Sequence, residues 1–145
     1  MEIITVTNRK QLDECLSIRF AVFVHEQNVP ADEEVDAFDA EHDACRHYLI
    51  RIDGKPVATG RWRPYEEGAA KLQRIAVLSD FRGHGLGKAV IEALERDAKA
   101  ANAKAAVLDA QCQAESFYRK LGYETVSETP FLDAGIWHVR MKKDL

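Results

Sequence analysis

Long apolar runs are missing from this sequence, and none approaches the ~20 residues that a helix needs to cross a bilayer. Its first residues, Met-Glu-Ile-Ile-Thr, also lack the basic region and apolar core of a secretory signal. We therefore expect no membrane partner and no export, which places the protein in the cytoplasm.

Cysteine is scarce and its positions form no recognisable framework. The three cysteines, Cys15, Cys45 and Cys112, are widely separated and include no CxxC pair. Such spacing is typical of reduced thiols rather than of disulfides or a zinc site, so we expect no bound metal.

Basic stripes with interleaved aromatic residues, which would indicate a nucleic acid surface, are also absent. The net charge is −4, and residues 26–43 hold eight acids with no Lys or Arg. The rest of the chain has 20 basic residues against 16 acids. Because the acidic segment would repel phosphates, we expect no nucleic acid partner.

What the sequence does contain is typical of a globular domain. Hydrophobic residues make up 46% and charged residues 30% of the 145 positions. This length is that of one domain and is enough to bury a core. We therefore expect one domain over residues 1–145.

The amino-terminal half predicts a strand, a helix and then a meander of strands. Residues 3–6 form a short apolar run, and Asn8 can cap a helix whose apolar positions recur from Leu12 to Phe23. The acidic segment has no clean period, which indicates a loop with one helical turn. Two strands, residues 47–52 and 57–62, flank the turn-forming pair Asp53-Gly54, and residues 72–78 predict a central strand.

The carboxyl-terminal half predicts a long amphipathic helix over residues 85–101, which Asn102 can end. The unbroken apolar run 105–110 indicates a strand covered on both faces. A strand-helix-strand order implies a parallel pair. Three shorter elements complete the prediction, namely a helix over 114–121 and strands over 123–127 and 136–141.

Residues 82–87, Arg-Gly-His-Gly-Leu-Gly, connect the predicted central strand to the long helix. A helix start has free N–H groups and a partial positive charge, and glycines let the backbone approach an anion, so this loop suits a phosphate or pyrophosphate. A Walker A loop is excluded because Ala89 follows Gly-Lys, and a dinucleotide fingerprint is excluded because Lys88 occupies its last glycine position. A glycine-rich turn without a ligand is the alternative.

The Arg-x-x-Gly-x-Gly pattern of residues 82–87 resembles the coenzyme A pyrophosphate loop of the GNAT family of N-acetyltransferases. Residues 111–123 resemble the family's second segment, with its Phe-Tyr and Leu-Gly-Tyr landmarks. The amino-terminal part is similar to a small bacterial single-domain subgroup at Arg19, Val22-Phe23-Val24, Glu26-Gln27, Asp36, Asp39 and His42. The resemblance extends almost from end to end.

The resemblance implies an α/β (α+β) fold with a mixed, mostly antiparallel central sheet of six to seven strands. About four helices would flank the sheet, and one neighbouring strand pair would splay apart. It also implies direct transfer of an acetyl group from acetyl-CoA to a primary amine of a small molecule or peptide within a ternary complex. A homodimer is one expectation for the assembly.

The resemblance further implies that coenzyme A contacts one set of residues. They are Ile75, Ala76, Val77, Arg82, Gly83, His84, Gly85, Leu86, Gly87, Lys88, Gln111, Ala114, Phe117 and Tyr118. Gln111 departs from the family, many members of which carry Asn there, and its side chain is one methylene longer.

For catalysis, the Tyr118 hydroxyl is predicted to protonate the departing thiolate, with a packed tyrosine as the alternative. A protonated amine must lose a proton before it attacks, either to a side-chain base or through a water relay. The base stays unassigned among four candidates: Asp39, Glu41, His42 and His138. The expected acceptor-side residues are Asp36, Asp39, His42 and His138. We favour a packing role for Cys112 over an acyl-enzyme nucleophile because no Cys-His-Asn framework surrounds it.

Other interpretations stay open. The loop reports on coenzyme A and not on acyl length, so a longer acyl donor fits equally, and a protein without catalysis could sense acyl-CoA. Residues 26–43 could attract a cationic amine or be a solvated loop. Asp36, Asp39, His42 and His47 could form a metal site, although their spacing matches neither an EF-hand nor HExxH.

Overall fold

The computed structural model describes residues 1–145 and contains eight strands and four helices. The strands are β1 (Glu2–Thr5), β2 (Arg46–Ile52), β3 (Lys55–Pro64), β4 (Ala69–Val77), β5 (Ala105–Gln111), β6 (Glu124–Thr125), β7 (Phe131–Asp133) and β8 (Ile136–Asp144). The helices are α1 (Arg9–Arg19), α2 (Ala31–Glu34), α3 (Leu86–Ala100) and α4 (Glu115–Lys120). None of the helices combines the length and the apolar character that crossing a bilayer requires.

All eight strands belong to one sheet, in the order β1-β2-β3-β4-β5-β8-β6, with β7 pairing to β8. Only β4 and β5 run parallel, because α3 carries the chain back across the sheet between them. The predicted mixed, mostly antiparallel sheet is confirmed, although it has eight strands rather than six to seven. β7, a three-residue strand after Pro130, was not predicted from the sequence.

The predicted hairpin is present and its turn has a clear cause. Asp53 and Gly54 have φ values of 50° and 77°, as a two-residue turn between twisted antiparallel strands requires. β2 and β3 pair on either side of this turn, and β3 then pairs with β4. The meander thus places β4 in the middle of the sheet.

The two faces of the sheet bury separate apolar clusters. A cluster of 17 buried residues joins α3 to one face, and a cluster of seven joins α1 to the other. Gly60 on β3 lets α3 approach closely, since a Cβ atom there would lie 2.6 Å from Val90 Cγ1. This close packing fixes where α3 begins relative to the end of β4.

The first helix differs from its prediction in one respect. The Asn8 side chain accepts a hydrogen bond from the Gln11 N–H at 2.9 Å, so the predicted cap is present. The α-helix ends at Arg19, however, and the chain continues as a wider π-helical segment, Phe20–Glu26. Apolar spacing alone does not distinguish the two helical forms, which is why the sequence predicted one helix to Phe23.

Candidate active site

A gap opens in the sheet between β4 and β5. The two strands pair only from Ala69 opposite Ala105 to Leu72 opposite Leu108, and beyond Leu72 they diverge. Since β4 is otherwise central, the backbone facing the gap has no strand partner there. The splayed pair expected from the sequence is therefore present.

A bulge in β4 accompanies the gap. Thr59 of β3 pairs with Ala76 and Arg61 pairs with Gln73, so two residues of β4 lie opposite one residue of β3. Arg74, in the bulge, has a left-handed φ of 59°. Bulges bend a strand and increase its twist, and this one lies where β4 leaves β5.

The gap widens into a cleft of about 860 Å³. Its walls combine the β4 segment 71–77, the carboxyl-terminal end of β5, the start of α3, the side of α4 and the turn before β8. The cleft thus brings together most of the residues that the sequence analysis assigned to coenzyme A, and His84 is the exception.

The loop before α3 presents its backbone to this cleft. Gly83 and Gly85 have φ values of 82° and 80°, and a Cβ atom added to either would meet no atom within 4 Å. No side chain caps the start of α3, which has 15 residues. Its first N–H groups are therefore free to bind an anion, and the helix dipole favours negative charge there.

Arg82 holds this loop in place. Its Nε donates to the Val77 carbonyl at 3.0 Å, and its guanidinium forms an ion pair with Glu26 at 2.9 Å. Arg82 thus joins the end of β4 to the π-helical segment. His84 is exposed and lies outside the cleft, whereas Lys88 is exposed and lines it.

Phe117 and Tyr118 of α4 form an aromatic wall beside the start of α3. The Phe117 ring edge lies 3.4 Å from where a Cβ of Gly87 would be, and the two rings meet edge-on at 5.1 Å. Tyr118 also packs edge-on against Tyr123 at 5.9 Å. Burial raises the pKa of Tyr118 to about 12, so its hydroxyl stays protonated at neutral pH and can donate a proton.

Gln111 contacts a residue that the sequence analysis did not assign to the site. Its amide nitrogen donates to Gln27 Oε1 at 2.8 Å, and Gln113 Nε2 donates to Gln111 Oε1 at 2.6 Å. The Gln27–Gln111 bond connects the π-helical segment to the end of β5 across the cleft, and a side chain shorter by one methylene would reach less far. Gln27 was visible in the sequence only as half of the Glu-Gln pair of the bacterial subgroup.

His138 is the one predicted acceptor-side residue that lines the cleft. It lies on β8 opposite Gln111 of β5, and its ring stacks on Phe131 at 6.1 Å with an interplanar angle of 22°. Its Nδ1 lies 2.7 Å from the Ile136 carbonyl oxygen.

The acidic segment differs most from its expectation. Asp39 is fully buried and binds Arg19 at 2.7 Å and Arg61 at 2.8 Å. Burial alone would raise the pKa of Asp39, but the hydrogen bonds and charge of Arg19 and the charge of Arg61 outweigh it and hold the pKa well below its usual range.

The neighbouring carboxylates are also paired. Asp36 binds Arg61 at 2.7 Å, while Glu34 binds Arg19 at 2.8 Å and Arg74 at 3.1 Å. Neither Asp36, Asp39 nor His42 lines the cleft. Asp36 and Asp39 therefore belong to a charge network that attaches the segment to the sheet.

The structure lacks the side-chain arrangement that either of two alternative chemistries, a metal site or a nucleophilic Cys112, would need. No group of three or more His, Cys, Asp or Glu side chains is arranged to hold a metal ion, and the carboxylates of Asp36 and Asp39 are occupied by arginines. Cys112 packs against the larger apolar cluster and lies outside the cleft. This position agrees with its predicted packing role.

Several charged residues of the cleft were not individually assigned to the site from the sequence, because they come from unrelated segments. They are Glu33, Lys71, Arg74, Asp109 and Asp133. Asp109 lies between Lys71 at 3.2 Å and Arg140 at 2.9 Å. Only the strand pairing brings these charges together.

Residues 10–145 match the model of the acetyltransferase (GNAT) domain family. The chain is 44% identical over 144 residues to YjcF of Bacillus subtilis (strain 168), an uncharacterised N-acetyltransferase, and the match covers 99% of this chain and 100% of YjcF.

Two solved structures extend the comparison. An acyl-CoA N-acyltransferase from Pseudomonas aeruginosa superposes with a TM-score of 0.81 at 28% identity, covering 98% of this chain and 97% of the other. The PaiA N-acetyltransferase from Thermoplasma acidophilum, solved in complex with coenzyme A, superposes with a TM-score of 0.70 at 14% identity over 100% of both chains. The second likeness concerns the fold alone.

Proposed function

The chain belongs to the GNAT acetyltransferase family, and we propose that it transfers an acetyl group from acetyl-CoA to a primary amine of a small molecule or peptide. Membership supports acyl transfer from an acyl-CoA donor to an amine in general. The acetyl donor, the acceptor class and the route of transfer are the parts of the proposal that need their own tests.

The observation that carries the proposal is the uncapped start of α3 at the mouth of the gap. We infer that the pyrophosphate of coenzyme A binds the backbone N–H groups of residues 83–88, where the glycines leave space and the helix dipole favours an anion. Arg82 and Lys88 add positive charge beside the same anion. His84 would then contribute its backbone rather than its side chain.

The pantetheine arm would lie in the gap along Ile75, Ala76 and Val77. This part of β4 pairs with β3 on one side but not with β5 on the other, so the backbone groups directed toward the gap are free for the amides of an extended ligand. The arm would thus take the place of the missing strand contacts. Gln111, Ala114 and Phe117 would contact it from the β5 and α4 side of the cleft.

Transfer would be direct, within a ternary complex. The amine nitrogen attacks the thioester carbon, a C–N bond forms, and the carbonyl oxygen becomes an oxyanion that an unpaired N–H of β4 can stabilise. When the C–S bond breaks, the thiolate takes the proton of the Tyr118 hydroxyl. Two observations support this role: burial keeps that hydroxyl protonated, and Tyr118 is among the residues that line the same cleft.

Turnover of a panel of primary amines with acetyl-CoA, followed by thiol release and by the mass of the product, tests the function. Replacing Tyr118 with Phe is expected to lower kcat about tenfold or more at every pH between 7 and 9, because the pKa of about 12 keeps the hydroxyl protonated throughout this range. Coenzyme A affinity should stay the same.

Tyr48→Phe is the matched control, since Tyr48 lies on β2 outside the cleft. Equal turnover by Tyr118→Phe and the parent, with chemistry shown to limit the rate, would remove the acid role. Coenzyme A binding without transfer to any amine would instead favour an acyl-CoA sensor. Turnover only with longer acyl-CoA molecules would show that the donor is not acetyl-CoA.

A further inference from the structure

We propose that His138 is the general base that removes the proton from the amine. The inference rests on the proposed function and extends it, because family membership does not identify the base. It is carried by the anchoring of the imidazole, by its place beside the gap and by the pairing of the other titratable side chains.

The imidazole is held in one orientation. Its Nδ1 lies 2.7 Å from the Ile136 carbonyl oxygen, and a carbonyl can only accept, so Nδ1 carries the proton in the neutral ring. Nε2 then has the free lone pair and makes no hydrogen bond within the protein. Stacking on Phe131 fixes the plane of the ring. A base oriented in this way has the tautomer that proton removal requires.

The strand register brings the ring close to the proposed reaction site. His138 is the register partner of Gln111, the last residue of β5. At Gln111, β5 no longer pairs with β4, because their pairing ends at Leu108. The imidazole therefore lies one strand away from the wall of the gap that would hold the thioester. Tyr118, the proposed acid, lines the same cleft from α4.

The other titratable groups of the cleft are less suited to the task. Asp109 is shared between Lys71 and Arg140, Glu34 is paired with two arginines, and Arg82 with Glu26. Asp133, on β7, and Glu33, on α2, are exposed carboxylates that no hydrogen bond within the protein orients. Of the four candidates from the sequence, only His138 reaches the cleft.

The proton balance is complete without another reactant. The ammonium form of the substrate gives one proton to His138 Nε2, and the resulting amine attacks the thioester. Tyr118 protonates the departing sulfur and regains a proton from the nitrogen of the new amide. The imidazolium releases its proton to solvent, so the products are the amide, the free thiol and one proton.

Two substitutions test the proposal. His138→Asn retains an N–H that can donate to the Ile136 carbonyl but supplies no base. His138→Ala removes the side chain and leaves space for a free imidazole molecule. We expect kcat to fall about 100-fold in both variants while coenzyme A affinity changes less than about twofold. Free imidazole added to the assay should raise the turnover rate of His138→Ala about tenfold, and that of His138→Asn much less.

His42→Asn is the matched control, because it makes the same change at a histidine that lies outside the cleft. Turnover of His138→Asn within about twofold of the parent would overturn the base while leaving the acetyltransferase intact. A loss that imidazole does not relieve in His138→Ala, in a variant with parental coenzyme A affinity, would equally overturn it. Failure of the parent to transfer to any amine would overturn the proposed function as well.

Discussion

The glycine loop, residues 82–88, and the acidic segment, residues 26–43, both stand out in the sequence, but the structure uses them in opposite ways. The loop leaves its backbone groups open toward the cleft. The acidic segment uses its central carboxylates internally, on arginines from α1, β3 and β4. One region is open to a ligand, and the other is occupied by the protein itself.

The difference teaches where local sequence is informative. A helix start needs only its own glycines and its own backbone to become an anion site, so a short motif contains the necessary information. A carboxylate is available only if no cation reaches it, and the cations that reach Asp39 are 20 and 22 residues away along the chain. Charge counts in a segment therefore do not predict a free charged surface.

The largest effect should come from breaking the occupied region. Asp39→Asn removes one charge from a fully buried network and leaves Arg19 and Arg61 undercompensated, so we expect a loss of about 3–5 kcal/mol in the free energy of unfolding. Urea denaturation followed by circular dichroism measures it. A loss below about 1 kcal/mol would show that the network contributes no more to the free energy of unfolding than an exposed ion pair does.

The same variant predicts a pH dependence with a definite sign. The pKa of Asp39 is lowered in the folded state, so its contribution is present above the unfolded pKa of about 3.9 and is lost as the pH falls below it. The difference between parent and variant should therefore be largest near neutral pH and shrink in acid. Glu34 acts in the opposite direction in the parent, since burial raises its pKa despite its arginine partners.

A smaller effect, on binding, should come from closing the open region. Gly85→Val places a branched side chain where the backbone has a left-handed φ of 80° and where the pyrophosphate is proposed to lie. Loss of one or two charge-assisted hydrogen bonds should weaken coenzyme A binding about 10- to 100-fold. Titration calorimetry measures the change.

Gly54→Val is a close structural match, because Gly54 has a φ of 77° and no atom within 4 Å of its added Cβ. It lies in the β2–β3 turn, away from the cleft, and so carries a similar backbone strain without the proposed contact. Similar weakening in the two variants, or none in a folded Gly85→Val protein, would place the coenzyme A site elsewhere.

The smallest effect should come from testing the acidic segment as an attractive surface. Asp36 is paired with Arg61 outside the cleft, so Asp36→Asn should change the amine KM less than about twofold and stability by about 1 kcal/mol. Glu33→Gln is the comparison, since Glu33 is exposed and lines the cleft. A selective, salt-sensitive rise in amine KM for Asp36→Asn would restore the steering interpretation.

The parts of the fold that were predictable depend on local signals. The Asp53-Gly54 turn, the Asn8 cap and the end of α3 shortly before Asn102, whose φ is 73°, follow from single residues and their neighbours. The bulge at Arg74 and the strand β7 do not, because neither has a distinctive composition.

The candidate site divides in the same way. The anion loop and the aromatic pair of α4 were visible as motifs, whereas the link from Gln27 to Gln111 joins residues 84 positions apart. His138 could be named as one of four candidates but not selected, since only the register of β8 against β5 brings it to the cleft. Long-range pairing decides such positions, and a single sequence does not record it.

The gap between β4 and β5 also affects how long the protein would last in a cell. A sheet with unpaired backbone at its centre gains structure when a ligand fills the space, and a ligand that binds only the folded form adds about 2.7 kcal/mol of stability at 100 times its Kd. Chains that lack such a ligand unfold more often and are degraded sooner. The abundance of this protein would then follow the supply of whichever molecule fills the gap, even without a change in its synthesis.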